Sequence, residues 1–502
     1  MKGSRMSLEL QLARLPESEL EFGGSGYFRN PRRGLLEAGP FDLRFGSAHR
    51  IQMRLAIVGS SEMIELALAW FERCRNPIAD PSPDGTRVPY NGFKSIFRGE
   101  LVADSNLTVR IPQNALDQAI ARPPYEGLNE ATKLYGSAIL EAKRNFRPDV
   151  VVCAIPENLA KRVWHVQRPF SRAEDLARKH IEQATAEGQI ELPLGWEPEE
   201  TAEDLLSRDF RRALKATAMR FEIPIQIVRT NALLDLRDNE PAGIRAWNLC
   251  TGLYYKGGGI PWRIRARGPE TCFVGVTFHH LRTTKREIVF SSLAQAYSSN
   301  GEGFTLKGST LAPPEGRRRT PHMTSDQARA LGEKVLQEYI KRNGTPPKRI
   351  VFHKSSRFTD DERAGFIGAT REVPVVQLVT ISPTSVRLVT HSSYPPARGT
   401  LLTIEDDRHY LFTSGYLDEI GTYPGPHVPS PVEIRLEGKF SRSELHEAAM
   451  DVLALGRLNW NTSDLRSSQP VTLGFARRVG GIMAEYGQMS DGDPDPNYRF
   501  YM

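Results

Sequence analysis

Tyr254–Ile264 reads YYKGGGIPWRI, three glycines and a proline that mark a boundary between two differently patterned halves of the chain. Ahead of this boundary, strand-like and helix-like segments alternate. Arg50–Gly59 (RIQMRLAIVG) alternates and then turns apolar before the helical pattern of Glu62–Cys74. Tyr135–Arg147 reads as a helix leading into Asp149–Ile155 (DVVVCAI), a β-branched apolar run suited to a parallel strand buried on both faces. A charged helix over Asp204–Phe221 leads to the strand Ile223–Val228. Such alternation predicts a parallel sheet covered by helices, a Rossmann-like layer.

Beyond the boundary the pattern changes. Phe273–Phe278 (FVGVTF), Glu287–Ala296 and Gly303–Leu311 read as three strands. A helix follows over Ser325–Arg342, with Thr324 as N-cap, Gln327 completing a capping box and Gly344 as the stop signal. Strand Arg349–His353, helix Asp360–Arg371 and strand Val375–Ile381 come next. Strand pairs then run through Thr413, ahead of helices at Ser443–Leu458 and Val471–Tyr486. Three meandering strands, then helix, strand, helix, strand, is the order of an RNase H-like fold. The expected class is α/β, with an N-terminal extension over 1–25, a Rossmann-like domain over 26–262 and an RNase H-like domain over 263–502.

The 502 residues suffice for two to four domains at roughly 100–200 residues each. With 66 Lys+Arg against 60 Asp+Glu, the net charge of +6 permits nucleic acid as a partner without demanding it. The four cysteines, Cys74, Cys153, Cys250 and Cys272, are scattered, which excludes a disulfide framework or zinc finger and fits a reducing cytoplasm. No apolar run approaches the roughly 18 residues of a membrane span. Met1–Arg14 lacks the uninterrupted apolar core of a secretory signal.

One group of polar residues stands out. Arg211 and Lys215 are four apart and share a helix face, Gln226 lies in the next strand, and Lys256 precedes the triple glycine. Two cations, an amide donor and glycine N–H groups suit a terminal phosphate. An exposed basic helix face and an unrelated loop lysine would show the same spacing.

The order, spacing and flanks of these residues resemble the phosphate motif of Argonaute MID domains: Arg211-x-x-x-Lys215, Gln226 within IPIQIV, and Lys256 within YYKGGGIPWRI. The resemblance implies that Lys215, Gln226 and Lys256 bind the 5′-phosphate of a guide strand, with Arg211 stacking on or bracing the first nucleotide. It implies further that the aromatic tail Tyr498-Arg499-Phe500-Tyr501-Met502 docks there, the Met502 carboxylate helping to hold a Mg2+ ion with the guide phosphates. CFVGVTF, NGEGFTLKG, RIVFHKSSRF, LGRLNWN and PVTLGFARRVG resemble successive PIWI-domain segments, and RRGLLEAGPFD resembles the start of a MID domain. Together these span roughly residues 30–502, which leaves no room for N and PAZ domains. The resemblance is therefore to the short prokaryotic Argonautes, built of MID and PIWI alone.

RNase H-like catalysis needs carboxylates at adjacent strand ends to hold two divalent ions about 3.5–4 Å apart. Where the resemblance places them stand Thr277, Ser355 and Arg477, two poor ligands for hard cations and one cation. No Asp or Glu lies in Phe273–Leu281 or Ile350–Thr359, and Glu302 alone cannot organise two metals. The protein is expected not to cut its target. Lys354, Arg357 and Arg478 fall where PIWI domains line the guide–target channel, and Arg317–Arg319 read as a solvated loop able to touch a nucleic-acid backbone. His279 and His280, adjacent on a strand, point to opposite faces and suggest no metal site.

The resemblance implies a cytoplasmic protein that recognises single-stranded DNA of plasmids or phage through a 5′-phosphorylated guide RNA, without cleavage. It implies a heterodimer with an APAZ-domain effector that oligomerises on activation. The effector would carry a TIR or sirtuin-like NADase, or else a nuclease, and NAD depletion would be the outcome. Two other readings of the residues stay open. One is an active nuclease using other carboxylates; the other is a Rossmann-type binder of a small phosphorylated ligand. Against the latter, no G-x-G-x-x-G follows the first strand.

Overall fold

A computed structural model describes residues 9–24, 26–79, 88–167, 207–236, 240–282, 288–298, 303–311, 322–389, 394–405, 407–423, 428–463, 465, 469–489 and 494–502. The first half is built on a parallel sheet in the order Ile225–Arg229, Val150–Ile155, Gln52–Gly59, Glu100–Val102, with Thr108–Arg110 also pairing Gln52–Gly59. Every residue of Val150–Ile155 is buried, as the unbroken apolar run requires of a strand covered on both faces. The helix Ser61–Arg75 starts where Ser60 accepts from the Met63 N–H.

The charged helix starts later than its composition implies, at Phe210. Asp209 fixes that start by accepting from the Arg212 N–H at 2.9 Å. Ser207–Asp209 pairs instead with His165–Gln167, and residues 204–206 lie outside the described set.

The boundary segment is also more regular than its glycines imply. Tyr254, Tyr255 and Lys256 complete the helix Ala242–Lys256. The N–H groups of Gly257, Gly258 and Gly259 then donate to the carbonyls of Leu253, Tyr255 and Tyr254, all at 2.9 Å. Gly258 has a φ of +95°, which a side chain would strain. A Cβ on Gly257 would overlap the Met53 thioether, and one on Gly259 the Tyr254 ring. The glycines therefore close a helix end against the first sheet.

The second half carries a nine-stranded mixed sheet in the order Leu10–Arg14, Thr400–Ile404, Arg408–Leu411, Val432–Leu436, Val375–Pro383, Arg349–Lys354, Thr271–Arg282, Ile288–Ser298, Gly303–Leu311. Its centre is parallel and its last three strands form the expected meander. The helix Ser325–Asn343 has the full Thr324/Gln327 capping box and ends at Gly344 with φ +80°. The last helical stretch is broken into Val471–Gly474 and Ala476–Met489. The short piece lies directly on the central strand, where a Cβ at Gly275 would collide with the Thr472 carbonyl.

Residues 10–28 do not stand apart as an extension. Leu10–Arg14 is an edge strand of the large sheet, and Leu20–Glu21 pairs with both Tyr27–Phe28 and Arg263–Ile264. Between these strands, Glu17 meets Arg398 at 2.8 Å and Arg457 at 3.0 Å, and the two guanidinium groups hold its carboxyl down to about 2 against the opposing effect of burial. The halves share one core. Tyr255 packs on Trp460 with ring centroids 4.4 Å apart, and the Trp262 indole donates to the Arg457 carbonyl at 2.8 Å. Among the described residues no helix is long and apolar enough to cross a membrane.

Candidate functional site

Lys215 and Lys256 are each 3% exposed, far below what an unpaired ammonium normally tolerates. Lys215 sits at mid-helix in Phe210–Arg220, and Lys256 is the last residue of Ala242–Lys256. Their partners are neutral oxygens. The Lys215 Nζ donates to the Tyr501 carbonyl at 3.1 Å, and the Lys256 Nζ donates to Gln226 Oε1 at 2.6 Å. Gln226, half-buried on the strand Ile225–Arg229, spends its Nε2 on the Ile227 carbonyl at 2.9 Å. It therefore orients Lys256, while the Ile227 carbonyl takes one of its two Nε2 hydrogens.

The electrostatics follow from this burial. Desolvation pushes Lys256 down to about 7, and the nearby Arg211 guanidinium adds to it. Lys215 is lowered well below the usual lysine range by burial first, then by Arg211, Lys256 and Arg478, with Asp209 opposing. Two helices of the first half and one of the second thus concentrate four cations around one small volume. Chemically, such a set suits a compact polyanion, which would supply the missing counter-charge.

The Tyr498–Met502 segment is docked, with Tyr498, Phe500, Tyr501 and Met502 all buried. Asn497 bridges to Phe304, the Thr305 N–H donates to the Pro496 carbonyl at 2.7 Å, and the Tyr501 hydroxyl donates to the Asp495 carbonyl at 2.9 Å. Met502 stands next to the Tyr501 carbonyl that Lys215 holds, so the structure brings Arg211, Lys215, Gln226, Lys256 and Met502 into one neighbourhood. The glycine N–H groups read as phosphate donors are not available, because all three are spent on the helix end.

The strand ends expected to carry catalytic carboxylates also come together. Val276 and Lys354 are the last paired residues of the two central parallel strands, so Thr277 and Ser355 follow side by side. Thr277 is half-buried; Ser355 is exposed, and its carbonyl accepts from the Ser382 hydroxyl at 2.8 Å. Arg477 lies in the helix Ala476–Met489, which packs on the Thr271–Arg282 strand; its side chain is outside the described set. On the same face as Thr277 and Ser355, His353 meets the Thr472 hydroxyl at 3.0 Å, and burial drives its pKa down to about 3, so it is neutral. Glu302 and Arg317–Arg319 lie outside the described residues, as do the side chains of His279 and His280.

Of the three residues read as channel-lining, Lys354 is a correction. It is 1% exposed, its Nζ lies 2.7 and 2.6 Å from the two oxygens of the fully buried Glu362, and it stands over the Phe278 and Phe358 rings. Its charge is consumed inside the fold. Arg357 is exposed, and its carbonyl accepts from Lys354 at 3.4 Å. Arg478 stands over the Phe475 ring at 5.6 Å and adds its charge to the lysine pocket. That membership leaves no mark in sequence, because it depends on how the second half packs on the first. The engagement of Lys354 left no local signal either: the Thr359-x-x-Glu362 capping box marks a helix start, not the burial of Glu362.

No protein-family model matches the chain, and no curated protein matches it in sequence. Solved structures do match. Clostridium butyricum Argonaute bound to a guide DNA with a 5′ deoxycytidine and a 19-mer target DNA is similar over 95% of this chain and 53% of its own, with a TM-score of 0.61 and 13% identity. Aa-Ago with externally bound siRNA is similar over 98% of this chain and 56% of its own, with a TM-score of 0.57 and 14% identity. The chain thus spans about half the length of each. At these identities the likeness shows the fold: a parallel-sheet layer followed by a large mixed sheet, arranged as in the MID and PIWI domains of Argonautes.

Proposed function

We propose that this protein recognises nucleic acid through a guide strand whose 5′-phosphate it holds between Lys215 and Lys256. The observation that carries the reading is the pair of buried ammonium groups, neither in an ion pair among the described residues, within reach of Arg211 and Arg478. A dianionic phosphate is the small ligand that best neutralises such a set. Arg211, half-buried one turn from Lys215, would brace the first nucleotide. A Mg2+ ion there would draw on the Met502 carboxylate and on phosphate oxygens; no three His, Cys, Asp or Glu converge among the described residues to hold one. The two Argonautes of like fold carry guide and target DNA in one case and siRNA in the other, which supports a strand-binding role.

The protein on this reading is a short prokaryotic Argonaute whose guide is RNA and whose target is single-stranded DNA of a plasmid or phage. It binds without cutting, because Thr277, Ser355 and Arg477 occupy positions where two metal ions need carboxylates. Recognition then requires an effector, an APAZ-domain partner with NAD-degrading activity, and the setting is the cytoplasm. The test is retention of a labelled single-stranded DNA by protein loaded with a matching 5′-phosphorylated RNA, in Mg2+ and in Mn2+. The expected result is guide-dependent capture of full-length DNA. Cleavage products, or equal capture with a scrambled guide, would defeat the proposal.

A further inference from the structure

The two edges of the nine-stranded sheet are treated differently. At the Gly303–Leu311 edge, Phe304 is bridged by Asn497, and the Thr305 N–H donates to the Pro496 carbonyl at 2.7 Å. At the opposite edge no strand among the described residues pairs with the outer side of Leu10–Arg14. The Glu405 N–H donates to the Glu9 carbonyl at 3.1 Å, and the Leu15 N–H donates to the Gly399 carbonyl at 2.9 Å. Bonded and unbonded pairs alternate along an antiparallel ladder, so Glu9, Gln11, Ala13 and Leu15 turn their backbone groups inward. Those of Leu10, Leu12 and Arg14 point off the sheet. Leu10 and Leu12 are also each 59% exposed. Between them Gln11 donates from Nε2 to Glu9 Oε1 at 3.0 Å, and its own Oε1 is buried with no hydrogen-bond partner among the described residues. Open edges are ordinarily blunted by lysine, proline or a bulge, and the stretch LQLA has none of these.

We infer that this edge pairs antiparallel with the same edge of a second copy of the chain, about a two-fold axis through Gln11. A strand added here must bring apolar side chains opposite Leu10 and Leu12, an amide between them, and no acid opposite Glu9. The edge meets each requirement itself. With Gln11 facing Gln11 of the second copy, Leu10 of each copy stands opposite Leu12 of the other and Glu9 opposite Ala13, so no like charges meet. The Leu10–Leu12 pairs exchange their outward N–H and C=O groups, and four leucines leave water together. Gln11 keeps its backbone bonds to its own sheet and falls at an unbonded pair, where side chains approach most closely. Its orphan Oε1 then accepts from the amide of the second copy. An edge of five residues buries less than the roughly 1,200 Å² at which lasting interfaces begin, so the pair is transient, half-associated at about 10–100 μM. The contact needs neither a guide strand nor an effector.

Sedimentation equilibrium of the full chain without nucleic acid, from about 1 to 300 μM, reads the contact. The mass should rise from monomer toward dimer and no further, because a two-fold contact closes on itself. Leu12→Pro deletes only an outward N–H and spares the ladder to Thr400–Ile404; it should weaken association about tenfold or more. Leu10→Lys/Leu12→Lys changes no backbone group and should do the same, which covers a proline that disturbs the edge. Crosslinking with oxidised glutathione reads the register, since the four native thiols are buried. Gln11→Cys should join two copies in a disulfide with release of reduced glutathione. Ala13→Cys, facing Glu9 of the second copy, should not. A wild type that stays monomeric throughout, unchanged association in both folded edge variants, or equal linking at positions 11 and 13 would overturn the inference. So would a monomer that takes up an unrelated extended polypeptide at this edge.

Discussion

Lys256 shows how burial changes the charge behaviour of an ordinary side chain. Among the described residues its ammonium donates to Gln226 Oε1, and desolvation together with Arg211 brings it down to about 7. In the unfolded chain it titrates near the usual lysine value of about 10.4. The unfolded chain therefore binds more protons between pH 7 and 10, so the cost of burying the charged form is carried below pH 7 and is relieved as pH rises through that window. A phosphate in contact favours the charged form and raises the group again. Binding above pH 7 must then take up a proton, while the phosphate itself is already a dianion above its second ionisation near pH 6. Affinity for a 5′-phosphorylated strand should fall about tenfold between pH 7 and 8.5. The 5′-hydroxyl strand should respond far less, and Lys256→Met should flatten the profile. Equal slopes for both strands by fluorescence anisotropy would contradict the protonation linkage.

The helix Asp360–Ala369 shows what a local motif reveals and what it leaves hidden. Thr359 and Glu362 form a capping box of the same type as Thr324 and Gln327, and such boxes can be read from four residues. Nothing in those four residues announces that Glu362 is fully buried against Lys354, because that contact depends on the register of a neighbouring strand. Glu362→Gln retains the cap but removes the counter-charge. It should lower stability by roughly 3–5 kcal/mol, the scale for leaving one buried partner unpaired. Adding Lys354→Met should recover most of the loss, measured as urea midpoints. An unchanged midpoint in Glu362→Gln would show that the pair is not buried as described. The break between Val471–Gly474 and Ala476–Met489 was likewise illegible, since it answers to the close approach of Thr472 to Gly275 on a distant strand. Strands such as Val150–Ile155, buried along their whole length, were readable from composition alone.

Assembly of the two halves creates the site. Arg211, Lys215, Gln226 and Lys256 come from the first, while the Tyr501 carbonyl and Arg478 come from the second. The alternation of strands and helices and the later meander made both layers legible. The interlock was not legible: an N-terminal strand crosses onto the far edge of the large sheet, and a C-terminal segment returns to the lysine helices. Sequence spacing places Lys215 on a helix and Lys256 at a glycine-rich boundary, and only the fold makes Lys256 the end of a second helix and buries both lysines. The claim that this shared volume is a phosphate receptor is tested most directly by the ratio of dissociation constants for 5′-hydroxyl and 5′-phosphate strands of one sequence, in wild type and in Lys215→Ala/Lys256→Ala. The pocket predicts a ratio of tenfold or more in wild type that collapses toward one in the double variant, with hydroxyl-strand binding little changed. A wild-type ratio of one, or a preference that survives loss of both lysines, would contradict it.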